Sequence, residues 1–151
     1  MALFLSSWRP WRPFHVCGLG ALCYGEAMRP HGFGPREKLK RRRDFERVTR
    51  EGKSLSDGLL RVRAAPNGLP HGRLGIIVSK RMSRLSPERN RMKRLIRESY
   101  RLNKQALAPS TDWIVIPKGN LSRKTLKEIE ASLLKLAERY AEAAARPGPP
   151  A

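Results

Sequence analysis

One short stretch of the chain, residues 86–104, carries side chains suited to neutralising phosphate groups. Six of them, together with one asparagine, fall within roughly 140° of one another if the stretch is a helix, at about 100° per residue. They are Arg89, Asn90, Lys93, Arg94, Arg97, Arg101 and Lys104. Arginine and lysine donate hydrogen bonds to phosphate oxygens, while an asparagine both donates and accepts, which suits a ribose hydroxyl or a base edge. This pattern predicts a surface that contacts a nucleic acid.

The same stretch contains the signals for the helix that would position these side chains. Ser86 is a preferred N-cap, Pro87 suits the first helical position, and Glu88 falls in the first turn. The residues expected to pack on the protein lie on the opposite side: Met92, Leu95, Ile96, Ser99 and Leu102. Glu98 is expected at the edge of the cationic face beside Arg91, so neutralisation between residues four apart is missing. An ordinary solvated helix surface is disfavoured, because like charges this dense repel one another unless a polyanion is bound.

Length and charge narrow the class of protein. The 151 residues suffice for one domain with a modest core and are too few to expect two. Lysine and arginine number 32 against 13 acidic residues, a net charge of +19. Residues 36–104 hold 22 of the bases and seven of the acids, a net charge of +15. We therefore expect the polyanion to meet the middle of the chain.

The two cysteines, Cys17 and Cys23, precede the basic region, so no disulfide framework supports it. Together with His15 and His31 they fit no standard zinc spacing, and we predict no metal site. The apolar run at residues 16–24 is too short to span a bilayer. It follows the letters WRPWRP and faintly mimics a secretion signal, but a secreted protein of this charge without structural disulfides is disfavoured. The expectation is a cytoplasmic protein without a membrane partner.

Composition divides the chain into three parts. Residues 1–35 hold five glycines, four prolines and two tryptophans without periodicity, which predicts a poorly ordered extension. Residues 36–145 show periodic apolar patterns and form the predicted domain. Residues 146–151, RPGPPA, cannot continue a helix and are expected to fray.

Within the domain the patterns predict the order α-β-β-β-α-β-α, an α+β fold with a four-stranded mixed sheet. The first helix runs from Leu39 to a stop at Gly52. Strands follow at residues 53–55, 60–64 and 73–79, and a basic loop at 80–84 leads into the cationic helix. The last strand, residues 112–117, has its core at Ile114 and Ile116. The final helix is capped by Ser122, and its apolar face comprises Leu126, Ile129, Leu133, Leu136 and Tyr140.

Several motifs in this order resemble those of one known family. Residues 89–98, RNRMKRLIRE, resemble the signature helix, often called the RNR motif, of the bacterial ribonuclease P protein component. Residues 39–45, LKRRRDF, are similar to the opening helix of that family, residues 75–81, GIIVSKR, to its central strand, and residues 113–116, WIVI, to its later strand. The resemblance covers residues 36–140.

The resemblance implies a fold and a function. The fold is a four-stranded sheet with a left-handed β-α-β crossover, like the second domain of the fifth protein of the small ribosomal subunit, although the general rule favours a right-handed crossover. The function is that of the small subunit of a ribonucleoprotein that removes the 5′ leader from precursor tRNA. The RNA subunit carries the chemistry and holds the magnesium, while the protein binds the catalytic RNA and the leader and requires no protein partner.

The resemblance also implies two groups of site residues and no catalytic or metal-binding residue in the protein. The predicted RNA-binding residues are Arg89, Asn90, Arg91, Lys93, Arg94, Arg97, Arg101, Lys80 and Arg81. The predicted leader cleft, between the first helix and the open sheet face, contains Phe45, Arg61, Arg63, Arg41 and Arg42. Thr49 stands where the family usually has an aromatic residue, and Arg61 and Arg63 stand where an apolar residue or a tyrosine is frequent. Stacking is therefore expected to be weaker, and phosphate attraction stronger, than is usual in the family.

Two other classes share some of these features. A ribosomal or RNA-chaperone protein would share the charge but need not share the ordered motifs. A helix-turn-helix DNA-binding protein would place a second helix close before the recognition helix, whereas a strand and a loop precede it here.

Overall fold

The computed structural model describes residues 32–145. The predictions for residues 1–31, including the considered metal site at His15, Cys17, Cys23 and His31, and for residues 146–151 lie outside the described residues. The elements, after a short 3₁₀ helix at Pro35–Glu37, are α1 (Arg42–Glu51), β1 (Lys53–Ser56), β2 (Leu60–Pro66), β3 (Arg73–Ile76), α2 (Ser86–Leu102), β4 (Thr111–Pro117) and α3 (Leu126–Ala145). The predicted order and the α+β class are confirmed.

The four strands form one mixed sheet in the order β1-β2-β4-β3. β2 is antiparallel to both β1 and β4, whereas β3 is parallel to β4 and is joined to it through α2. The connection is therefore the β-α-β crossover that the resemblance implies, and its hand stays a prediction. In the register, Ile114 of β4 lies opposite Arg63 of β2 on one side and opposite Gly75 of β3 on the other.

Helices cover both faces of the sheet. α2 and α3 enclose the larger core with residues such as Val62, Trp113, Val115, Ile96 and Leu136, all with at most 1% of their surface exposed. α1 covers the other face with a smaller core of Leu39, Val48, Ala65 and Ile114, against which Phe45 and Ile116 pack. The prediction that the core of the last strand lies at Ile114 and Ile116 is thus incomplete. Because β4 is a central strand buried on both faces, Trp113 and Val115 contribute to the larger core.

The cationic helix is capped differently from the prediction. Ser86 is its first residue, and Leu85 occupies the N-cap position without a side-chain hydrogen bond. Ser83 takes over part of that role, since its Oγ accepts the Leu85 N–H at 3.0 Å and donates to Glu88 Oε2 at 2.5 Å. The prediction of Ser86 as the cap was wrong because the loop folds back to bring Ser83 to the first turn.

Two other helix starts differ as well. Ser122 does not cap α3, because Thr125 and Glu128 form a capping box in which the Thr125 N–H donates to Glu128 Oε2 at 2.8 Å and the Glu128 N–H to Thr125 Oγ1 at 3.4 Å. Leu39 precedes α1 and donates its N–H to the Leu74 carbonyl at 3.0 Å. The segment before α1 is therefore extended along β3 where the sequence predicted a helix.

The buried side of α2 follows the prediction except in its last turn. Met92, Ile96 and Ser99 are buried, Leu95 is half-buried, and Leu102 is 39% exposed. Tyr100 is buried instead, with Phe33 edge-on to its ring at a centroid distance of 5.9 Å. Tyr100 and Leu102 lie about 200° apart around the helix, so the two side chains cannot both face the protein. No helix in residues 32–145 is long and apolar enough to cross a membrane.

Candidate nucleic-acid interface

The outward face of α2 carries cations without acidic partners. Within the described residues, Arg91, Lys93, Arg94 and Arg97 form no salt bridge and no side-chain hydrogen bond. The three arginines and Asn90 are exposed, and Lys93 is half-buried. Met92 and Ile96, which are fully buried on the opposite side, hold the helix in the rotation that turns these cations outward. This face is suited to bind a polyanion.

The basic loop directly before α2 carries further exposed cations. Lys80, Arg81 and Arg84 are exposed, and their side chains form no hydrogen bond or salt bridge in the part of the chain that the structure describes. Glu88 is the acid nearest this loop, and hydrogen bonds from Ser83 and Asn120 lower its pKa, so it remains charged and already has its donors. Glu88 therefore does not neutralise the cations of the loop, which remain exposed like those on the outward face of α2.

Three residues of the predicted cationic face have partners within the protein. Arg101 donates through Nε to Glu98 Oε2 at 2.9 Å, and this hydrogen bond lowers the pKa of Glu98. Lys104 is paired with Glu37 and also donates to the Gly32 carbonyl. The expectation that neutralisation is missing was wrong at this end of the helix, although Glu98 and Arg91 do line one groove.

Arg89 is the third of these residues. It is half-buried, and its Nη1 donates to the carbonyls of Ser83 at 3.0 Å and Arg84 at 2.7 Å. At the start of α2 a predicted RNA-binding residue is thus bonded to the backbone of the basic loop.

An open groove of about 420 Å³ lies where α2 meets α3. Arg91, Arg94 and Arg97 form its α2 side together with Glu98, and Leu126 of α3 contributes an apolar wall. Three unpaired cations around a concave surface are suited to a phosphate backbone with a ribose or a base against the leucine.

The second candidate surface lies on the sheet face beside α1. The Phe45 ring is half-buried and lies directly over Gly75, where an added Cβ would come within 2.7 Å of Phe45 Cε1. Leu39 packs beside it in the smaller core. Phe45 is therefore a packing residue whose ring remains partly accessible at the border of α1.

A cluster of ion pairs fixes α1 on the sheet, and the sequence reasoning missed it. The Asp112 side chain is fully buried and accepts hydrogen bonds from Arg73 Nε at 2.8 Å and Nη2 at 2.6 Å, from Asn67 Nδ2 at 2.9 Å, and from Arg47 of α1. Arg73 also contacts Asp44 of α1 at 3.2 Å. Burial by itself would raise the pKa of Asp112, but the hydrogen bonds from Arg73 and Asn67 and the two positive charges outweigh it and lower that pKa. The sequence feature that could have indicated this cluster is Asp112 itself, the single acidic residue in the otherwise apolar strand TDWIVIP.

The register shows which part of the sheet face α1 leaves open. α1 contacts the row of residues level with Asp112 through its ion pairs and the row level with Ile114 through Phe45 and Val48. The next row contains Ile116, which is half-buried, and its β2 partner Arg61, which is exposed. We call this row, with Ile77 on one side and Ser56 on the other, the open strip. Ile77 is 40% exposed, and its N–H donates to the Val115 carbonyl at 3.0 Å.

The residues predicted for the leader cleft are thus only partly brought together. Arg61 lies in the open strip, but Arg63 lies in the covered row and donates to the Thr49 carbonyl at the end of α1. Arg42 is bonded to Glu46 at 2.7 Å, and Arg41 is exposed just before α1. Ile77 and Ile116, which no sequence argument placed in a cleft, supply the apolar part of the strip.

The fold and these surfaces define a small basic α+β domain whose β-α-β crossover helix presents cations without acidic partners among the described residues. Residues 33–141 match the family model described as Ribonuclease P. The chain belongs to the ribonuclease P protein family, so the resemblance drawn from the motifs is confirmed. The role of this family is tRNA processing as part of a ribonucleoprotein.

Individual relatives agree with this assignment. The ribonuclease P protein component of Alkaliphilus metalliredigens is 41% identical over 99 residues, which cover 66% of this chain and 88% of the relative. The structure of the ribonuclease P protein from Thermotoga maritima aligns with a TM-score of 0.62 and 36% identity, covering 69% of this chain and 97% of that one. The Staphylococcus aureus protein aligns with a TM-score of 0.61 and 30% identity, covering 69% and 94%.

Proposed function

We propose that this chain is the protein subunit of a ribonuclease P that binds both the catalytic RNA and the 5′ leader of precursor tRNA. The RNA subunit carries out the endonucleolytic cleavage that generates the mature 5′ end. The observation that carries the proposal is the row of cations on α2 that have no acidic partner within residues 32–145.

The proposed contact with the catalytic RNA is the outward face of α2 together with the basic loop. Arg91, Lys93, Arg94 and Arg97 supply unpaired charge, and Asn90 supplies a group that both donates and accepts. Lys80 and Arg81 extend the contact before the helix. Arg89 and Arg101 remain in the proposed surface, although each already has a partner within the protein. Phosphate neutralisation of this kind gives affinity that falls steeply with salt.

The proposed leader site runs along α1 and the open strip. An unpaired strand is held by a positive groove with surfaces on which bases can pack. Arg41 and Arg61 supply charge, while the accessible edge of Phe45 and the exposed parts of Ile77 and Ile116 supply packing surface. Arg42 and Arg63 act at the border, since one is bonded to Glu46 and the other to the end of α1.

In this proposal magnesium is held by the RNA subunit, where it activates water and stabilises the leaving oxygen. Residues 32–145 contain no cluster of three or more histidine, cysteine, aspartate or glutamate side chains able to hold a metal ion. The protein contributes to the reaction electrostatically, because its cations offset the repulsion between the catalytic RNA and the precursor tRNA, two polyanions that must lie side by side. We therefore expect the protein to lower the magnesium concentration that the RNA needs.

The proposal is tested by mixing the purified chain with a bacterial ribonuclease P RNA and a 5′-labelled precursor tRNA. The chain alone should leave the precursor intact, and the RNA alone should cleave it only at high magnesium. Together they should cleave at low magnesium and yield the mature 5′ end. Cleavage by the protein without RNA, or an RNA whose magnesium requirement is unchanged by the protein, would overturn the proposal.

A further inference from the structure

We infer that Arg89 is a positioning residue that holds the basic loop in line with the cationic face of α2. This role rests on the proposed function, since it matters only if the loop and the helix bind one RNA together. The first arginine of the RNR motif thus has a structural task within the protein, in addition to its proposed contact with the catalytic RNA.

The geometry at the start of α2 carries the inference. The Nη1 group of Arg89 has two N–H donors, and the two carbonyls that it contacts belong to adjacent residues, Ser83 at 3.0 Å and Arg84 at 2.7 Å. The neighbouring Glu88 binds the same loop from its other side through the Ser83 hydroxyl at 2.5 Å. Ser83, with 9% of its surface exposed, is therefore held by two successive residues of the helix.

The loop has few other hydrogen bonds that would fix it. Among the described residues, its remaining bonds are local: the Met82 N–H donates to the Ser79 carbonyl at 3.1 Å, the Leu85 N–H donates to Ser83 Oγ at 3.0 Å, and Ser83 Oγ lies 3.4 Å from the Leu85 carbonyl. None of them joins the segment 80–84 to the body of α2. Met82 packs against the larger core, and the hydrogen bonds that tie the loop to α2 are those of Glu88 and Arg89.

Arginine is needed for this task because of its shape. Both contacts come from Nη1, whose two N–H groups are fixed in the plane of the guanidinium, whereas lysine Nζ lies one bond closer to the backbone on a flexible stem. Arg89→Lys keeps the charge but shortens the side chain, so the ammonium no longer reaches both carbonyls from the same backbone position. For a residue that only neutralises a phosphate the change is mild, and for a positioning residue it releases the loop.

The first experiment needs no RNA. Limited trypsin digestion of the full chain, followed by mass spectrometry, measures cleavage after Lys80, Arg81 and Arg84. We expect Arg89→Lys to raise the rate of cleavage at these three sites several-fold relative to sites in α3, because cleavage requires local opening. Arg94→Lys, in the middle of the same helix, is the matched control and should leave the rates unchanged. Unchanged cleavage in Arg89→Lys would overturn the inference.

The second experiment measures binding to the ribonuclease P RNA as a function of salt. We expect Arg89→Lys to weaken binding several-fold and to lower the salt slope by about two, because up to three loop cations lose their place and each contributes about 0.7–0.9. Arg139→Lys, on the exposed surface of α3, is the control and should bind like the wild type. In a background with Lys80→Gln, Arg81→Gln and Arg84→Gln, the further change Arg89→Lys should have almost no effect.

The results distinguish a role of Arg89 in holding the loop from the binding of RNA by the whole chain. An equal loss from Arg89→Lys in both backgrounds would assign Arg89 a direct contact or a general structural role and overturn the inference. If the wild-type chain fails to bind the RNA, the proposed function fails, while the digestion experiment still decides whether Arg89 holds the loop.

Discussion

The sheet face beneath α1 and the outward face of α2 are both rich in arginine, yet the arginines have opposite environments. Beneath α1, Arg47 and Arg73 converge on the fully buried Asp112. On α2, Arg94 and Arg97 point outward and have no acidic partner among the described residues. The residue type is the same, so the role of an arginine here is decided by burial and by the acid within its reach.

The two environments also differ in what they contribute to the free energy of unfolding. Charges in the Asp112 cluster have lost most of their hydration, so removing one partner leaves a buried charge without compensation. Cations on α2 remain hydrated and repel one another, so they contribute little or negatively to folding. We expect the first region to respond to mutation in stability and the second in RNA affinity.

The largest effect is expected from Asp112→Asn, which should lower the free energy of unfolding by about 3 kcal/mol, because Arg47 then lacks its counter-charge and Arg73 keeps only Asp44. Urea denaturation at neutral pH measures it. Glu46→Gln is the matched control, because its pair with Arg42 is well exposed on both sides, and it should change stability by less than about 1 kcal/mol. Similar losses for both variants would contradict the contrast between a buried and a solvated pair.

The same cluster predicts how stability depends on pH. Because the pKa of Asp112 is lowered in the folded state, its contribution is complete above its unfolded pKa of about 3.9 and is lost as the pH falls through the folded value. The stability difference between wild type and Asp112→Asn should therefore be constant from about pH 5 to 7 and shrink below about pH 4. Other carboxylates cancel in this difference. A gap that narrows with rising pH would show that Asp112 is not held as an anion.

A smaller effect, on binding alone, is expected from replacing Arg94 and Arg97 together by glutamine. The salt slope of binding to the catalytic RNA should fall by about 1.5, since each lost phosphate contact removes about 0.7–0.9. The free energy of unfolding should stay the same or rise slightly. Replacing Lys135 and Arg139 of α3 by glutamine removes the same charge from another exposed surface and is the control. Equal losses of affinity for the two pairs would indicate a general charge effect without a defined interface.

The smallest effect is expected at Phe45 of α1, which packs over Gly75 and remains partly exposed beside the proposed leader site. Phe45→Leu should weaken binding of precursor tRNA several-fold and leave mature tRNA bound as before, because each stacked base is worth about 1–3 kcal/mol. The packing cost of such a swap is usually under about 1.5 kcal/mol. Ile114→Val, fully buried in the same core, is the control and should change stability without changing this discrimination. Parallel loss for both RNAs would assign Phe45 to the core alone.

The sequence by itself determined the order of the elements and the two sides of α2. Both depend on local periodicity, since residues three or four apart on a helix share a face and alternate residues on a strand share one. Met92 and Ile96 therefore had to face the protein while Arg94 and Arg97 faced away. The motif in residues 89–98 was likewise readable as a continuous run, and it led to the correct family.

Only the tertiary structure decided which cations are already paired. Lys104 meets Glu37, 67 residues away, and Arg47 meets Asp112, 65 residues away. These pairs exist because β4 lies between β2 and β3 and because α1 crosses two rows of that sheet. Strand order and register depend on how the whole core packs, and no local period encodes them. For the same reason the open strip of Ile77, Ile116, Arg61 and Ser56 became visible only once the strands were aligned.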